Sequence, residues 1–386
     1  MERLEAVCHR EGSLDPARET LVWIGKVRAA PLVALLAEAL SARTGRPPQT
    51  LLITPDRVAH YHTDAVVVVN AEARRLEATE GGRHKVPVRE PFFYAEVARS
   101  PTCRRLFEEL VARQGEVWAN AFVSHPTLTD ALPAGVRLVG PPAALAVRLN
   151  HKPSALELLR PLDLPVPPTV VPPDLEEAAR AARRWIDQQG AAYVAGPTGT
   201  SGSQSCVART EAEVLEGLAG REGPFLVQPC IEAVASPSVL GCVANPTEVV
   251  VGPVGDQVLE GPRWVGTLFP SELPAALQAD LRRQTARVGR ALAGHGYRGL
   301  FGCDWLVTPT ERVWFVEVNA RKVGSAVEVA LACWWGAKER ATWRRSSGPR
   351  CATAPSVAST PRRAPSGARR GSTTASSSSR SAGGWP

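Results

Sequence analysis

Strand-length apolar runs separated by a helix-length segment constrain this chain more than any other feature. Leu21-Val-Trp-Ile24, residues 49–54 and residues 64–70 are short and rich in β-branched and aliphatic side chains, the composition of strands. Between the first two, residues 27–42 carry apolar side chains at helical spacing. Pro31 falls in the first turn of that helix, where its missing N–H is not needed. Strand–helix–strand order of this kind predicts an open α/β sheet. The expectation is an N-terminal α/β domain over residues 1–140, punctuated by Pro141-Pro142.

A second region, residues 141–335, follows. Residues 144–159 have a helical pattern, broken by Leu162-Asp-Leu-Pro-Val-Pro-Pro168. Residues 174–189 carry the clearest helix signals. Asp174 is placed to cap, Glu177 three residues later to complete a capping box, and Gly190 to stop the helix. Strands are expected around Tyr193 and at 225–228, 248–251, 302–307 and 313–319, with a helix at 275–293. Residues 89–94 and 263–267 read as irregular segments that contribute to a substrate pocket. No internal repeat is present.

Net charge has to be divided before it is used. Ten of the 45 lysines and arginines, and one of the 38 acids, lie from Gly336 onward; before it stand 35 basic and 37 acidic residues. The excess positive charge belongs to residues 336–386, so the folded body gives no electrostatic reason to bind nucleic acid. That segment holds only Val357 from among Leu, Ile, Val, Met and Phe. It cannot bury enough apolar surface to offset its ordering entropy. Two readings stay open: a natural disordered basic tail, or the frameshifted end of a GC-rich gene. The start of the chain is charged and lacks the apolar core of a signal peptide, and the longest aliphatic run is residues 65–69. A cytoplasmic protein without membrane contact is expected. None of the eight cysteines forms a C-x-x-C pair, which favours free thiols over disulfides or zinc. The seven histidines do not cluster; His60, His62 and His84 read as surface residues.

Chemistry concentrates in Trp314-Phe-Val-Glu-Val-Asn-Ala-Arg321. Period-2 alternation puts Glu317, Asn319 and Arg321 on one face and sends Val316 and Val318 to the core. A short turn makes the Asp304 strand the antiparallel neighbour. Asp304, Glu317 and Asn319 offer hard oxygen ligands of the kind Mg²⁺ shares with phosphates. A solvent-facing strand edge with an Asp/Glu/Arg ion-pair set accounts for the same residues. Thr198-Gly-Thr-Ser-Gly-Ser-Gln-Ser205 has the small residues of a loop that closes over phosphates, or of a flexible surface loop; it is not a Walker A sequence. Lys152, in Asn150-His-Lys152, supplies a point charge suited to phosphate.

In this order the segments resemble the ATP-grasp superfamily of carboxylate–amine and carboxylate–thiol ligases over residues 138–332. Residues 139–152 resemble the entry segment that ends in a phosphate-contacting Lys, here Lys152. Leu164-Pro-Val-Pro-Pro-Thr169 resembles the proline turn that follows. Residues 193–207 resemble the strand and flap over the triphosphate, with Thr198, Gly199, Ser201 and Gly202 as nucleotide-binding positions. Residues 225–231 resemble the hinge strand that reads adenine, with Gln228 and Cys230, and Glu232 as the candidate for the ribose hydroxyls. Gly302-Cys-Asp304 and Glu317-Val-Asn319-Ala-Arg321 resemble the pair of metal-binding strands. Gly324-Ser325 resembles the loop near the reacting carboxylate.

The resemblance implies an α/β (α+β ATP-grasp) fold. It consists of an N-terminal open α/β pre-ATP-grasp domain and a two-lobed ATP-grasp domain with its small lobe at about residues 165–230, before the disordered tail. It implies ATP and Mg²⁺, with Asp304, Glu317 and Asn319 on the metal, Arg321 catalytic, and Gly324 and Ser325 at the substrate. The reaction implied is activation of a small carboxylate as an acyl phosphate and transfer to an amine, such as an amino acid, by a homodimeric enzyme. Transfer of an amino acid to a carrier-protein thiol, or nucleotide binding without turnover, are the alternatives. The sequence departs from the family at Gly196-Pro197, where a phosphate-binding Lys-Pro is usual. Lys322 and Arg298 are the candidates to replace that cation.

Overall fold

Residues 7–27, 30–57, 63–70, 90–199 and 204–326 are described by a computed structural model. Strands β1 (Val7–Gly12), β2 (Thr20–Ile24), β3 (Gln49–Thr54), β4 (Ala65–Val69), β5 (Val117–Ala121) and β6 (Val136–Val139) form one sheet in the order β1-β4-β3-β2-β5-β6. All neighbours are parallel except β1 and β4. Every residue of β2 and of β4 is buried, because both faces of the sheet are covered. Val22, Ile24, Leu51 and Ile53 pack with Phe93 of α2 (Glu90–Arg99) and with Leu106 and Phe107 of α3 (Pro101–Gln114). Leu21, Trp23 and Leu52 pack on the opposite side with Leu32 and Val33 of α1 (Ala30–Thr44). Residues 90–94, expected to be irregular, form the start of α2; Phe93, Tyr94 and Val97 supply its buried face.

After α4 (Pro126–Thr129), the helix expected over 144–159 is two helices, α5 (Ala143–Asn150) and α6 (Lys152–Leu159). Pro153 has no N–H to continue the ladder, but it fits the first turn of a new helix. His151 takes an extended conformation between the two and caps α6. The break makes Lys152 the first residue of α6.

The expected cap and stop hold in α7 (Leu175–Gln189): Asp174 Oδ1 accepts from the Glu177 N–H at 2.8 Å, and Gly190 closes the helix at φ 82°. Helices α7 and α8 (Glu211–Gly217) cover a small antiparallel sheet in which β7 (Ala192–Ala195) lies between β8 (Ser205–Ala208) and β9 (Leu226–Pro229). A third sheet is antiparallel throughout, in the order β12-β11-β10-β13-β14. Its strands are β10 (Pro237–Val243), β11 (Val249–Glu260), β12 (Arg263–Leu268), β13 (Gly299–Val307) and β14 (Val313–Asn319). The segment 263–267, expected to be irregular, lies in β12. Helix α9 (Ala275–Gly294) covers one face through Leu281, Val288 and Leu292, which pack with Phe301, Trp305 and Phe315.

All described residues belong to one compact unit, Met1–Lys338. Within it, Leu240, Leu300 and Val323 of the third-sheet region pack into the same apolar cluster as Trp23 and Leu52 of the first. Cys103, Cys206, Cys230, Cys242 and Cys303 are free thiols, as expected. Among the described residues no helix is long and apolar enough to cross a membrane. Residues 336–386, and with them both readings of the basic tail, lie outside the described residues, as do His60, His62 and His84.

Candidate active site

β2 is where the first sheet changes its direction of growth, with β3 and β4 on one side and β5 and β6 on the other. In open parallel sheets the crevice beyond the carboxyl ends of such strands collects ligands. Lys26 follows β2 and Phe122 follows β5, and both line a cavity of about 660 Å³. The small sheet contributes Tyr193, Val207 and Gln228, and the third sheet supplies the charged wall.

Asp304 on β13 pairs with Glu317 on β14 and, on its other side, with Ser238 on β10. The Asn319 amide nitrogen donates to Asp304 Oδ2 at 2.8 Å and to Glu317 Oε1 at 3.2 Å. Lys152 Nζ reaches the other Glu317 oxygen at 2.7 Å, and these two side chains are 20% and 23% exposed. Arg321 donates to the Asn319 amide oxygen and lies over the Phe122 ring at 5.7 Å. The group faces a cavity and Asn319 is buried, so the solvent-facing edge reading does not describe it.

Burial raises the Asp304 carboxyl to about 6, and the Glu317 charge adds to the rise; a hydrogen bond from Ser238 and the Arg321 charge oppose it. Burial acts on Glu317 in the same direction, but the Lys152 ammonium outweighs it and holds that carboxyl below its ordinary value. Lys152, in turn, is raised: desolvation works against its charge, and Glu317 more than compensates. Two carboxylates held side by side in a partly desolvated wall repel each other, and cations relieve the repulsion.

Val316 corrects the expected alternation. The register steps from Trp305↔Phe315 to Asp304↔Glu317, which leaves Val316 as the extra residue of a β-bulge. Phe315 and Val318 go to the core, while Val316 joins Glu317 on the cavity wall. Strict alternation would have put Phe315 on the carboxylate face.

Of the residues singled out in the sequence, Lys152, Gln228 and Cys230 line the cavity, as do Asp304, Glu317, Asn319 and Arg321. Gly324 and Ser325 line it too. Gln228 Nε2 donates to Thr169 Oγ1 at 2.8 Å. Thr198, Gly199 and Glu232 are exposed and not on the cavity wall. Ser201 and Gly202 lie outside the described residues. Neither candidate for the missing flap cation reaches the site. Arg298 donates to the Tyr297 and Ala293 carbonyls, and Lys322 Nζ to the Ala121 carbonyl at 2.7 Å. Lys26, which the sequence reading did not select, lines the cavity instead. Its position directly after the first apolar strand was the available signal. Ser238 was also missed, and only strand pairing brings it to the wall; Trp264 belongs to the 263–267 segment expected to contribute to the pocket and lines the cavity from a strand.

Among the described residues no group of three or more His, Cys, Asp or Glu is arranged to hold a metal ion. The donor set is two carboxylates and an amide. That set suits an ion which takes its other oxygens from water and phosphate, as Mg²⁺ does, and not one caged wholly by protein. The residues present therefore fit Mg²⁺ bound together with a nucleotide.

No family model matches the chain. Solved structures do. Carboxyaminoimidazole ribonucleotide synthase from Aspergillus clavatus, complexed with ATP, matches with a TM-score of 0.53 at 14% identity over 81% of this chain and 72% of that one. The biotin carboxylase domain of Hydrogenobacter thermophilus 2-oxoglutarate carboxylase, holding MgADP and bicarbonate, matches with a TM-score of 0.55 at 15% identity over 79% and 64%. Both are ATP-grasp proteins. The chain has the ATP-grasp fold. A curated protein, L-propargylglycine–L-glutamate ligase of Streptantibioticus cattleyicolor, is 32% identical over 126 residues, 33% of this chain. The match spans about a quarter of that relative's length, 26%. The cavity is lined from all three sheets.

Proposed function

We propose that the chain is an ATP-dependent ligase that activates a small carboxylate as an acyl phosphate and passes the acyl group to an amine, releasing ADP and phosphate. The observation that carries the reading is the Lys152–Glu317–Asn319–Asp304–Arg321 network on the wall of a nucleotide-sized cavity in an ATP-grasp fold. In this reading residues 141–335 bind the nucleotide and residues 1–140 help bind the carboxylate.

Asp304, Glu317 and Asn319 would hold Mg²⁺, which supplies charge neutralisation on the phosphates. Lys152 trades its contact with Glu317 for phosphate oxygens, whose negative charge would hold its proton as Glu317 does in the free site. Arg321 lies two residues beyond the amide ligand and stabilises negative charge on the transferring phosphoryl group. The substrate carboxylate oxygen bonds to the γ-phosphorus as ADP departs. The amine then bonds to the acyl carbon, phosphate departs with the bonding pair, and the amine loses a proton. Val316, Leu306 and Val234 form an apolar stretch suited to the adenine ring. The position of the usual flap lysine is backbone only: Gly196 N–H donates to Gln204 O, and Pro197 O accepts from Lys152 N–H, each at 2.7 Å. Lys26, which lines the same cavity, is the lysine that would take up this role.

The relative named as a ligase of two amino acids makes amino acids the first substrates to try. ADP and phosphate release should depend on an amino-acid pool and fall by roughly 10²–10³ in Glu317→Ala. ATP turnover unchanged by that substitution would refute the assignment.

A further inference from the structure

The β11–β12 hairpin lines part of the cavity. Glu260 pairs with Arg263, so the turn is the two residues Gly261-Pro262, with Gly261 at φ +58°. A positive φ at the first central position followed by proline suits a tight hairpin turn. Leu259, Gly261, Pro262 and Trp264 all line the cavity. The Trp264 indole is fixed in two ways. Its Nε1 donates to Thr267 Oγ1 at 3.2 Å, and its ring rests on Gly324, where a Cβ would come within 2.5 Å of the indole edge. Gly324 has no left-handed φ that would call for glycine. The contact with Trp264 is what excludes a side chain there.

The indole therefore stands at one end of the segment running from Arg321 to Ser325, and Phe122, beneath the Arg321 guanidinium, stands at the other. The fixed indole takes up space that a smaller residue would leave open, so a substrate held beside Arg321 meets an aromatic wall and a shortened space. We propose that Trp264 sets substrate specificity, and that the activated carboxylate belongs to an α-amino acid with a short apolar side chain packed against the indole and Phe122. This deepens the ligase reading and rests on it for the identity of the reacting group. Trp264 is a specificity residue and touches no reacting atom.

Calorimetry on the full chain with Mg²⁺ and a non-hydrolysable ATP analogue tests it, using alanine, α-aminobutyrate, norvaline, leucine and phenylalanine as probes. The wild type should bind the short members and discriminate against excess methylenes by roughly tenfold or more. Trp264→Ala should bind the nucleotide analogue as the wild type does and lose that discrimination. Trp264→Phe should keep it in part. Gly324→Ala, which displaces the indole, should change the preference in a chain that retains Trp264. No binding of any probe by the wild type would overturn the inference, and so would an unchanged size order in Trp264→Ala and Gly324→Ala. ADP release is measured in parallel. A size order that shifts as expected without any ADP release would leave Trp264 as the selector and refute the ligase reading alone.

Discussion

At the scale of single residues, the lysines behave in opposite ways. Lys152 lies against Glu317 and keeps its proton, whereas Lys322 lies among Trp23, Ala121 and Cys242. Burial pulls its ammonium down to about 8, with the Cys242 thiol acting weakly the other way. The unfolded chain holds that proton to about 10.4. Below pH 8 both states are protonated and the buried charge weakens the fold. Between about 8 and 10.4 the unfolded state binds more protons, so this group adds stability as pH rises. Urea midpoints measured from pH 7 to 10.4 should therefore hold up better in the wild type than in Lys322→Met, which lacks this rising component. Identical pH profiles would contradict the assignment. Residue identity was the most legible level of the site: Asp304, Glu317, Asn319 and Arg321 stand out because charge recurs at strand spacing between apolar neighbours. Val316 was not legible. A bulge is set by pairing with β13, and nothing in Phe315-Val-Glu317 announces which residue is extra.

At the scale of elements, local signals were read well and tertiary ones poorly. The cap at Asp174 and the stop at Gly190 lie within one helix and needed no partner. The break at His151 and the strand at 263–268 depend on what the chain meets, and pattern alone misassigned both. The packing of α9 on β10 is such a case. Gly241 on the strand and Gly289 on the helix both face Phe301: a Cβ at Gly289 would stand 2.9 Å from Phe301 Cζ, and one at Gly241 would overlap it. Helix, ring and strand can approach only because both positions lack side chains. Gly241→Ala should cost about 1–3 kcal/mol in urea unfolding. Combined with Phe301→Leu, which frees the space, its cost should be smaller than the sum of the single costs. Strict additivity would show that the ring does not mediate the contact.

At the scale of the whole molecule, the α/β class was legible from strand–helix order. The placement of the cavity was not, because Lys26 and Phe122 reach it only through the topology of the first sheet. A ligand that bridges three sheets should stabilise them together. With Mg²⁺ and an ATP analogue at about a hundred times the dissociation constant, the gain should be about 2.7 kcal/mol. The corresponding rise in Tm should require Mg²⁺ and should largely vanish in Glu317→Gln at the same concentrations. A rise independent of both would place the nucleotide elsewhere. The cavity wall runs from Lys26 to Ser325, from almost the first described element to the last. A chain emerging from the ribosome thus exposes both cavity lysines long before the carboxylates that complete the site. Its N-terminal sheet can fold early, but under the proposed function no unfinished chain ending short of β14 would hold the nucleotide, and binding would report that synthesis has passed that strand.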